Sequence, residues 1–596
     1  MSNYLNNNDP DYQRITLAIF MVAVILICWQ LFVELPRRQQ LAEVMAKNAA
    51  HQQKTNNANL KDTISKSTDS EHIPNLSRAE LLAQNNRVLI KSDRLHGSIS
   101  LKAARFDDLT LAKYKVSLDK ESPEVILLSP NGDKDSYFAQ TGWVATDGKT
   151  KVPDNQSIWT ANKDTLNAND RITLTWNNGE DVTFIMDISL NSDYMFTIKQ
   201  SVENNSENVI SVSPYGYINR TYMLEDNHGM IMHTGPMGVI DSLVTEFPYK
   251  DLKEENRKDY KNTNGWLGIT DKYWLTALIP NDDKFNMSFS YYSQNNQDRF
   301  QTDYMGTPLT IPPQSEAQMT QLRLFAGAKE IDILDRYTNG IEGDLNNKPI
   351  PLFDRAVDFG RLYFLTKPLF LMLNIFYSFI GNFGLAIIMV TIVIKICMFP
   401  LANKSYAAMS KIKALQPEIT ELKNRHKKDP QAMNKAMMEL YKRHKVNPAS
   451  GCLPILIQLP VFIALYKVLY VTIEMRHAPF FGWLKDLSAP DPSNIFTLFG
   501  MINWDPPAFM HLGILPILYC ISMIIQQKQQ PAPTDPTQEK IMKMLPFFLL
   551  FVFATFPAGL VLYWVASNIF SIIQQEVITL RHGTHRSQKN KSTTSS

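Results

Sequence analysis

The chain has 596 residues, of which 44% are hydrophobic and 20% charged, and its 60 lysines and arginines against 58 aspartates and glutamates leave a formal net charge of +2. It is too polar to lie wholly in a membrane and too interrupted by long apolar runs to be wholly soluble, so a soluble domain joined to a membrane domain is expected. The sequence has no G-x-x-x-x-G-K-[ST] loop and no H-E-x-x-H pair, so neither nucleotide-driven nor metalloprotease chemistry is indicated, and no cofactor is called for.

The first apolar run, Ile15 to Val33, is 19 residues long. That suits a span better than a signal-peptide core, and no small-residue cleavage site follows it closely. Residues 1–35 therefore read as an uncleaved anchor, and Ile27 before Cys28 argues against lipoprotein processing. Residues 36–86 form a polar linker rich in Gln, Asn, Lys and Ser, too weakly hydrophobic to order itself.

From 87 to 350 the texture changes to short β-type runs with turn signals. Arg171 to Trp176, the turn Asn177-Asn178-Gly179 and Val182 to Leu190 predict a hairpin. Similar runs recur at 193–202, 209–217, 274–279, 285–292 and 318–325, and together they predict one large β-sandwich. None of the four cysteines (Cys28, Cys397, Cys452, Cys520) lies in this stretch, so it has no disulfide framework. Residues 355–378 mix Arg361, Lys367 and Asn374 with Phe, Leu and Tyr, which fits an amphipathic helix on the membrane surface. An extension of the following span is the plainer alternative.

That span, Phe383 to Pro400, contains Lys395. A charge at the bilayer centre costs about 2.5 to 3.5 kcal/mol on insertion scales and marks a functional site by default. A lysine stem can also snorkel to an interface roughly 8 Å away, so two readings stand: a snorkelling lysine, or one facing a wet cavity. Thr391 one turn earlier on the same face, with Gln458, Ser567 and Asn568 in later apolar segments, favours the cavity.

Residues 401–450 carry eleven basic side chains against four acidic ones, a net +7 in a chain of net +2, which predicts a cytoplasmic loop. Two apolar stripes, Tyr406, Met409, Ile412, Leu415, Ile419 and Leu422, then Met433, Met437, Leu440 and Tyr441, predict a helical hairpin. Counting crossings from there, 452–471 runs outward, 474–511 lies outside and 512–526 returns. Arg37 and Arg38 after the first span oppose this orientation, but long translocated domains weaken the charge rule. Met544 to Ile573 is 30 apolar residues broken by Phe556-Pro557-Ala558-Gly559, read as two short spans that leave the basic tail, 581–596, in the cytoplasm. Short spans imply a bilayer thinned around the protein.

The motifs Met398-Phe399-Pro400-Leu401, Leu415-Gln416-Pro417-Glu418, Val446-Asn447-Pro448, Gly451-Cys452-Leu453-Pro454, Ile457-Gln458-Leu459-Pro460 and Phe556-Pro557-Ala558-Gly559-Leu560-Val561-Leu562-Tyr563 with Ser567-Asn568 resemble the YidC/Oxa/Alb membrane insertases. Gly265-Trp266 and Trp274 to Pro280 are similar to the large periplasmic domain of the Gram-negative YidC type. The resemblance implies an α-helical polytopic membrane protein: an N-terminal anchor, a five-helix core over 379–580 with the cytoplasmic hairpin 401–450, and a large all-β periplasmic sandwich. It implies residence in the bacterial inner membrane with both termini cytoplasmic, and a non-enzymatic insertase and chaperone for newly made membrane proteins.

In that family a basic residue of the second span sits in a groove open to cytoplasm and lipid, and Lys395 matches it where arginine is usual. Lysine keeps the charge but loses the planar fork. The expected client groove comprises Lys395, Thr391, Gln458, Tyr563, Trp564, Ser567 and Asn568, with 452–471 and 544–555 lining its exit. The expected partners are nascent clients, the Sec translocon, membrane lipids, and the ribosome and targeting factors. The last two would dock on Lys411, Lys413, Lys423, Arg425, Lys427, Lys428, Lys442 and Arg443, unless these charges only set orientation. The stretch Asn494 to Pro507 is longer than the family's usual loop. His228 and His233 raise a remote sugar-site reading. A polytopic transporter with a periplasmic ligand-binding domain is the rival class, but the spans offer neither a carboxylate core nor a duplicated half.

Overall fold

The computed structural model describes residues 76–221, 232–294, 297–315, 320–340, 348–426, 429–446, 453–497, 502, 504, 512–530 and 536–593. The chain divides into two compact units, one β-rich and ending at Asp358, the other helical from Phe359 onward. The expected anchor and nearly all of the expected linker lie outside the described residues.

The β-rich unit holds a sheet of 11 strands and one of nine, almost entirely antiparallel. In strand 182–190 every second side chain is buried, the period-2 pattern of a sheet with one face inward. It pairs with strand 170–177 through the expected hairpin, where Gly179 takes φ +80°. The runs expected at 193–202, 209–217, 274–279, 285–292 and 318–325 appear as strands 195–204, 210–221, 274–280, 285–294 and 320–328. Aromatic side chains join the two inner faces: Phe106 meets Phe196 edge-on at 5.2 Å, and Trp143 meets Phe184 at 5.1 Å.

Gly265 shows why its motif needs glycine. Its φ is +124°, and a Cβ there would fall 1.8 Å from the Val239 carbonyl oxygen. The adjacent Trp266 is fully buried and donates its indole N–H to the Pro351 carbonyl at 3.0 Å. Three short helices complete the unit: α1 (Arg78–Ala83), α2 (Tyr249–Glu255) and α3 (Ile331–Asn339). Ser77 and Glu80 form a capping box on α1.

The helical unit begins with α4 (Tyr363–Ile380). The expected interfacial helix thus starts eight residues later than the composition of 355–378 suggested, because Phe353–Ala356 is a 3-10 turn and Gly360 takes φ +69°, which a continuous helix cannot hold. Gly381 and Asn382 separate α4 from α5 (Phe383–Ala414), and Asn382 caps α5 by accepting from the Leu385 amide at 3.1 Å.

Helices α6 (Gln416–Arg425) and α7 (Pro430–Arg443) form a hairpin around Ile412, Leu415, Ile419, Met437, Leu440, Tyr441 and Val446. Those are largely the two stripes read from the sequence. Asp429 caps α7, its carboxylate accepting from the amides of Gln431 and Ala432. Then follow α8 (Leu453–Val471), α9 (Ile514–Gln529), α10 (Pro536–Ala554) and α11 (Ala558–Thr593), which continues into the stretch expected as a tail.

The break between α10 and α11 falls at the Phe556-Pro557 motif. There the Ala558 and Gly559 amides donate to the carbonyls of Ala489 and Leu487 at 2.8 and 2.9 Å, satisfying the open N–H groups of a helix start. A Cβ on Gly559 would lie 3.1 Å from that Leu487 oxygen, so glycine permits the approach.

Candidate functional site

α11 is the element around which the polar groups of the helical unit collect. Tyr563, Ser567, Ser571 and Gln575 recur at four-residue spacing, so they lie along one stripe of the helix, and all four are buried. Each neighbouring helix attaches to this stripe or its edge. The Gln458 side-chain amide of α8 donates to the Tyr563 hydroxyl. Lys395 Nζ of α5 donates to Ser571 Oγ at 2.9 Å. Gln575 Nε2 donates to the Gln529 carbonyl of α9 at 3.1 Å, and Asn568 Nδ2 donates to Ser522 Oγ of α9 at 3.0 Å.

Lys395 is half-buried and lies about 18 Å along α5 from Phe383, well inside a hydrocarbon layer of about 30 Å if that helix crosses it upright. Its described hydrogen bond uses one of the three N–H donors of an ammonium group. The Trp564 indole nitrogen and the side-chain amide nitrogens of Gln527 and Gln574 are buried without a partner among the described residues. An unmade hydrogen bond of this kind costs about 1 to 3 kcal/mol, which favours water or a polar ligand beside each of them.

The expected groove residues fall into three groups. Gln458 and Tyr563 meet each other, with Trp564 packed on Phe462 of α8 at 5.1 Å. Ser567 and Asn568 lie on α11 within a turn of Ser571. Thr391 is fully buried, but its hydroxyl donates to the Ile387 carbonyl of its own helix at 2.7 Å and is therefore spent on backbone.

On the hairpin, Lys411, Lys413, Arg425, Lys442 and Arg443 are exposed and Lys423 is half-buried, while Lys427 and Lys428 lie outside the described residues. Arg425 pairs with Glu421 at 3.2 Å, one turn earlier.

In the β-rich unit, His233 is half-buried beside Glu246, Asp358 and Lys329. Its Nε2 lies 3.0 Å from the Pro236 carbonyl, and burial pushes it below the usual histidine range. That is a packed histidine, and His228 lies outside the described residues. No group of three or more potential metal ligands occurs among the described residues.

Residues 87–372 match the YidC periplasmic domain, and residues 375–585 match the 60Kd inner membrane protein. The membrane protein insertase YidC of Rickettsia bellii is 43% identical over 577 residues, covering 96% of this chain and 99% of its own. The chain belongs to the YidC family of membrane protein insertases. Its namesake in Rickettsia rickettsii is also 43% identical, over 580 residues, 96% of this chain and 99% of that one. Among solved structures, an active YidC insertase with its first transmembrane domain resolved is 16% identical with a TM-score of 0.33, covering 82% of this chain and 92% of that chain.

Within this YidC chain, reading the sequence missed Ser571 and Gln575. The signal was available: continuing in steps of four from Tyr563 through Ser567 lands on Ser571 and then on Gln575. A serine among Ile569, Phe570, Ile572 and Ile573 is easily passed over when an apolar run is scanned for charge alone.

Proposed function

We propose that this chain inserts newly made membrane proteins through a wet half-groove that centres on Lys395 and opens to the cytoplasm and the lipid. The observation that carries the reading is the Lys395 to Ser571 bond: a cation at mid-helix depth turned toward a buried polar stripe, with a neutral hydroxyl, and no carboxylate, as its partner among the described residues.

Topology follows by parity. The domain that ends at Asp358 matches a periplasmic one, and the +7 loop that carries the hairpin is cytoplasmic by charge. One crossing must separate them, and α5, 32 residues or about 48 Å long, supplies it. α4 then lies along the outer surface, and α8, α9, α10 and α11 cross in turn. Together with α5 they make the five-helix core, which leaves the C-terminal end in the cytoplasm of a bacterial inner-membrane protein. The first span places the N-terminus there too.

A client must carry a polar tail through hydrocarbon, at about 2.5 to 3.5 kcal/mol per charge near the centre, before its apolar segment gains about 0.3 to 0.6 kcal/mol per Leu, Ile, Phe or Val. The gain belongs to the client, so the insertase only has to lower the barrier. Unfilled N–H groups on Lys395, Gln527 and Gln574 hydrate or bind the tail, and the charge attracts acidic residues. The apolar helix then leaves sideways past α8 and α10. α10 supports this by exposing Ile541, Met544, Phe547, Phe548 and Phe551. Its fuel is the client's own transfer energy, so no enzyme chemistry or cofactor is involved.

The exposed lysines and arginines of the hairpin suit a polyanion, such as ribosomal RNA, and targeting factors. Cooperation with the Sec translocon rests on the family alone. The test is client insertion into proteoliposomes by Lys395→Ala and Lys395→Arg. At least a tenfold loss is expected for Ala on a client with an acidic tail, and near-complete retention for Arg. Full activity of the Ala form removes the charge from the mechanism, and solute flux without insertion favours a transporter.

A further inference from the structure

At the end of α5 opposite the hairpin, the helical unit carries exposed aromatic side chains that insertion leaves unused. α4 has two faces. Thr366, Leu369, Phe370 and Leu373 are buried, while Phe364, Leu371, Ile375 and Phe379 are exposed and, at 100° per residue, share about a quarter of the circumference. The exposed stripe ends at Phe379, 84% exposed, just before Gly381, whose φ of +71° stops the helix with open space around it.

A second turn is built against this one. Asn382 Nδ2 donates to the Phe480 carbonyl at 3.4 Å, and a Cβ on Gly384 would fall 2.0 Å from the Phe480 ring, so that ring rests on bare backbone at the start of α5. The Phe480 amide donates to the Leu484 carbonyl at 2.8 Å, and Gly482 at the tip takes φ +64°, again with nothing around it. Either side of it, Phe481 is 57% and Trp483 43% exposed. The Trp483 indole N–H donates to Asp491 Oδ1 at 3.0 Å, and Asp491 Oδ2 accepts from the Leu515 amide at 2.8 Å. The turn is thereby tied to α9. The indole has its polar edge satisfied and its ring outside.

We propose that Phe481 and Trp483, together with Phe379, form a membrane anchor seated at the headgroup–acyl boundary of the leaflet at this end of the core, with phospholipid as its partner. Three features select lipid over another protein. The turn rests on Asn382 and Gly384, within five residues of where the exposed apolar stripe of α4 ends, so both exposed aromatic groups sit at the same end of α5. Aromatic residues with a satisfied polar edge are the composition of an interfacial belt. Lys485, exposed two residues beyond Trp483, is placed to reach lipid phosphate by its flexible stem. The anchor holds the start of α5 at a fixed depth, and with it the depth of Lys395 about 18 Å below.

The test uses the full chain in phosphatidylcholine and phosphatidylglycerol vesicles whose acyl chains are brominated near either the glycerol or the methyl end. Trp483→Phe should remove bromine-quenched emission, and Phe481→Trp should add it. The emission at either position should be quenched at least twofold more by the shallow bromines, with weak quenching by aqueous acrylamide. Phe481→Trp keeps the bond from Trp483 to Asp491, so it carries the test if Trp483→Phe disturbs the turn. Emission quenched by acrylamide and indifferent to bromine places the turn in water and overturns the proposal. Shielding from both quenchers means a protein surface covers it, which overturns it equally. Client insertion is not the readout, so the outcome is independent of the Lys395 mechanism.

Discussion

The two units keep their half-buried cations in different company. In the β-rich unit the half-buried Arg87 meets Asp107, Arg220 meets Asp271 at 2.6 Å and Arg94 meets Glu330 at 2.6 Å, each charge neutralised where it lies. In the helical unit Lys395 meets a serine. A paired charge is structural, since removing one partner strands the other, whereas a cation with N–H donors to spare remains available to something that arrives. Under the proposed function, the charge and spare N–H donors of Lys395 are kept for a client.

The largest expected effect strikes the β-rich unit. Gly265→Ala must move the Val239 strand or its own backbone, and a loss of more than about 4 kcal/mol in β-unit stability is expected by denaturant unfolding. A change below about 1 kcal/mol would show that the contact is soft. Phe184→Ala, which empties the space between Trp143 and Trp176, should cost about 3 to 5 kcal/mol in the same assay.

Lys329 sharpens the comparison because it is the β-rich unit's own buried ammonium. Its three donors go to Thr270 Oγ1 at 3.0 Å, the Asp271 carbonyl at 2.6 Å and the Ala356 carbonyl at 3.1 Å. Burial pushes it down to about 8, against the pull of Asp271, Asp358 and Glu246. Below pH 8 both folded and unfolded states are charged and the burial penalty is full. Between pH 8 and 10.5 only the unfolded state holds the proton, so stability rises with pH, by about 3 kcal/mol in all. Thermal unfolding should show that rise in the wild type, and Lys329→Met should flatten it. A rise that persists in the variant assigns it to other groups.

The smallest stability effect is expected in the helical unit. Ser571→Ala should change unfolding by about 1 kcal/mol or less while lowering insertion of acidic-tailed clients several-fold and sparing neutral-tailed ones. An equal loss for both client types would make Ser571 a packing residue and would blur the contrast between the units.

Much of this was legible in the order of residues. Period-2 runs and an Asn-Asn-Gly turn announced the sandwich, because a sheet with one buried face imposes that alternation. Long apolar runs and their interruption by Pro557 announced helices of the second unit and the break at Phe556, because a proline cannot continue a helix. Lys395 stood out as a charge inside one of those runs.

What tertiary structure alone decided is whom each polar group meets. Ser571 as the partner of Lys395 and the setting of the Phe480 turn beside the α4–α5 junction depend on contacts between residues 176 and 98 apart in the chain. Local pattern sets which face of a helix is polar. Only packing between helices determines whether that face finds a partner or stays open.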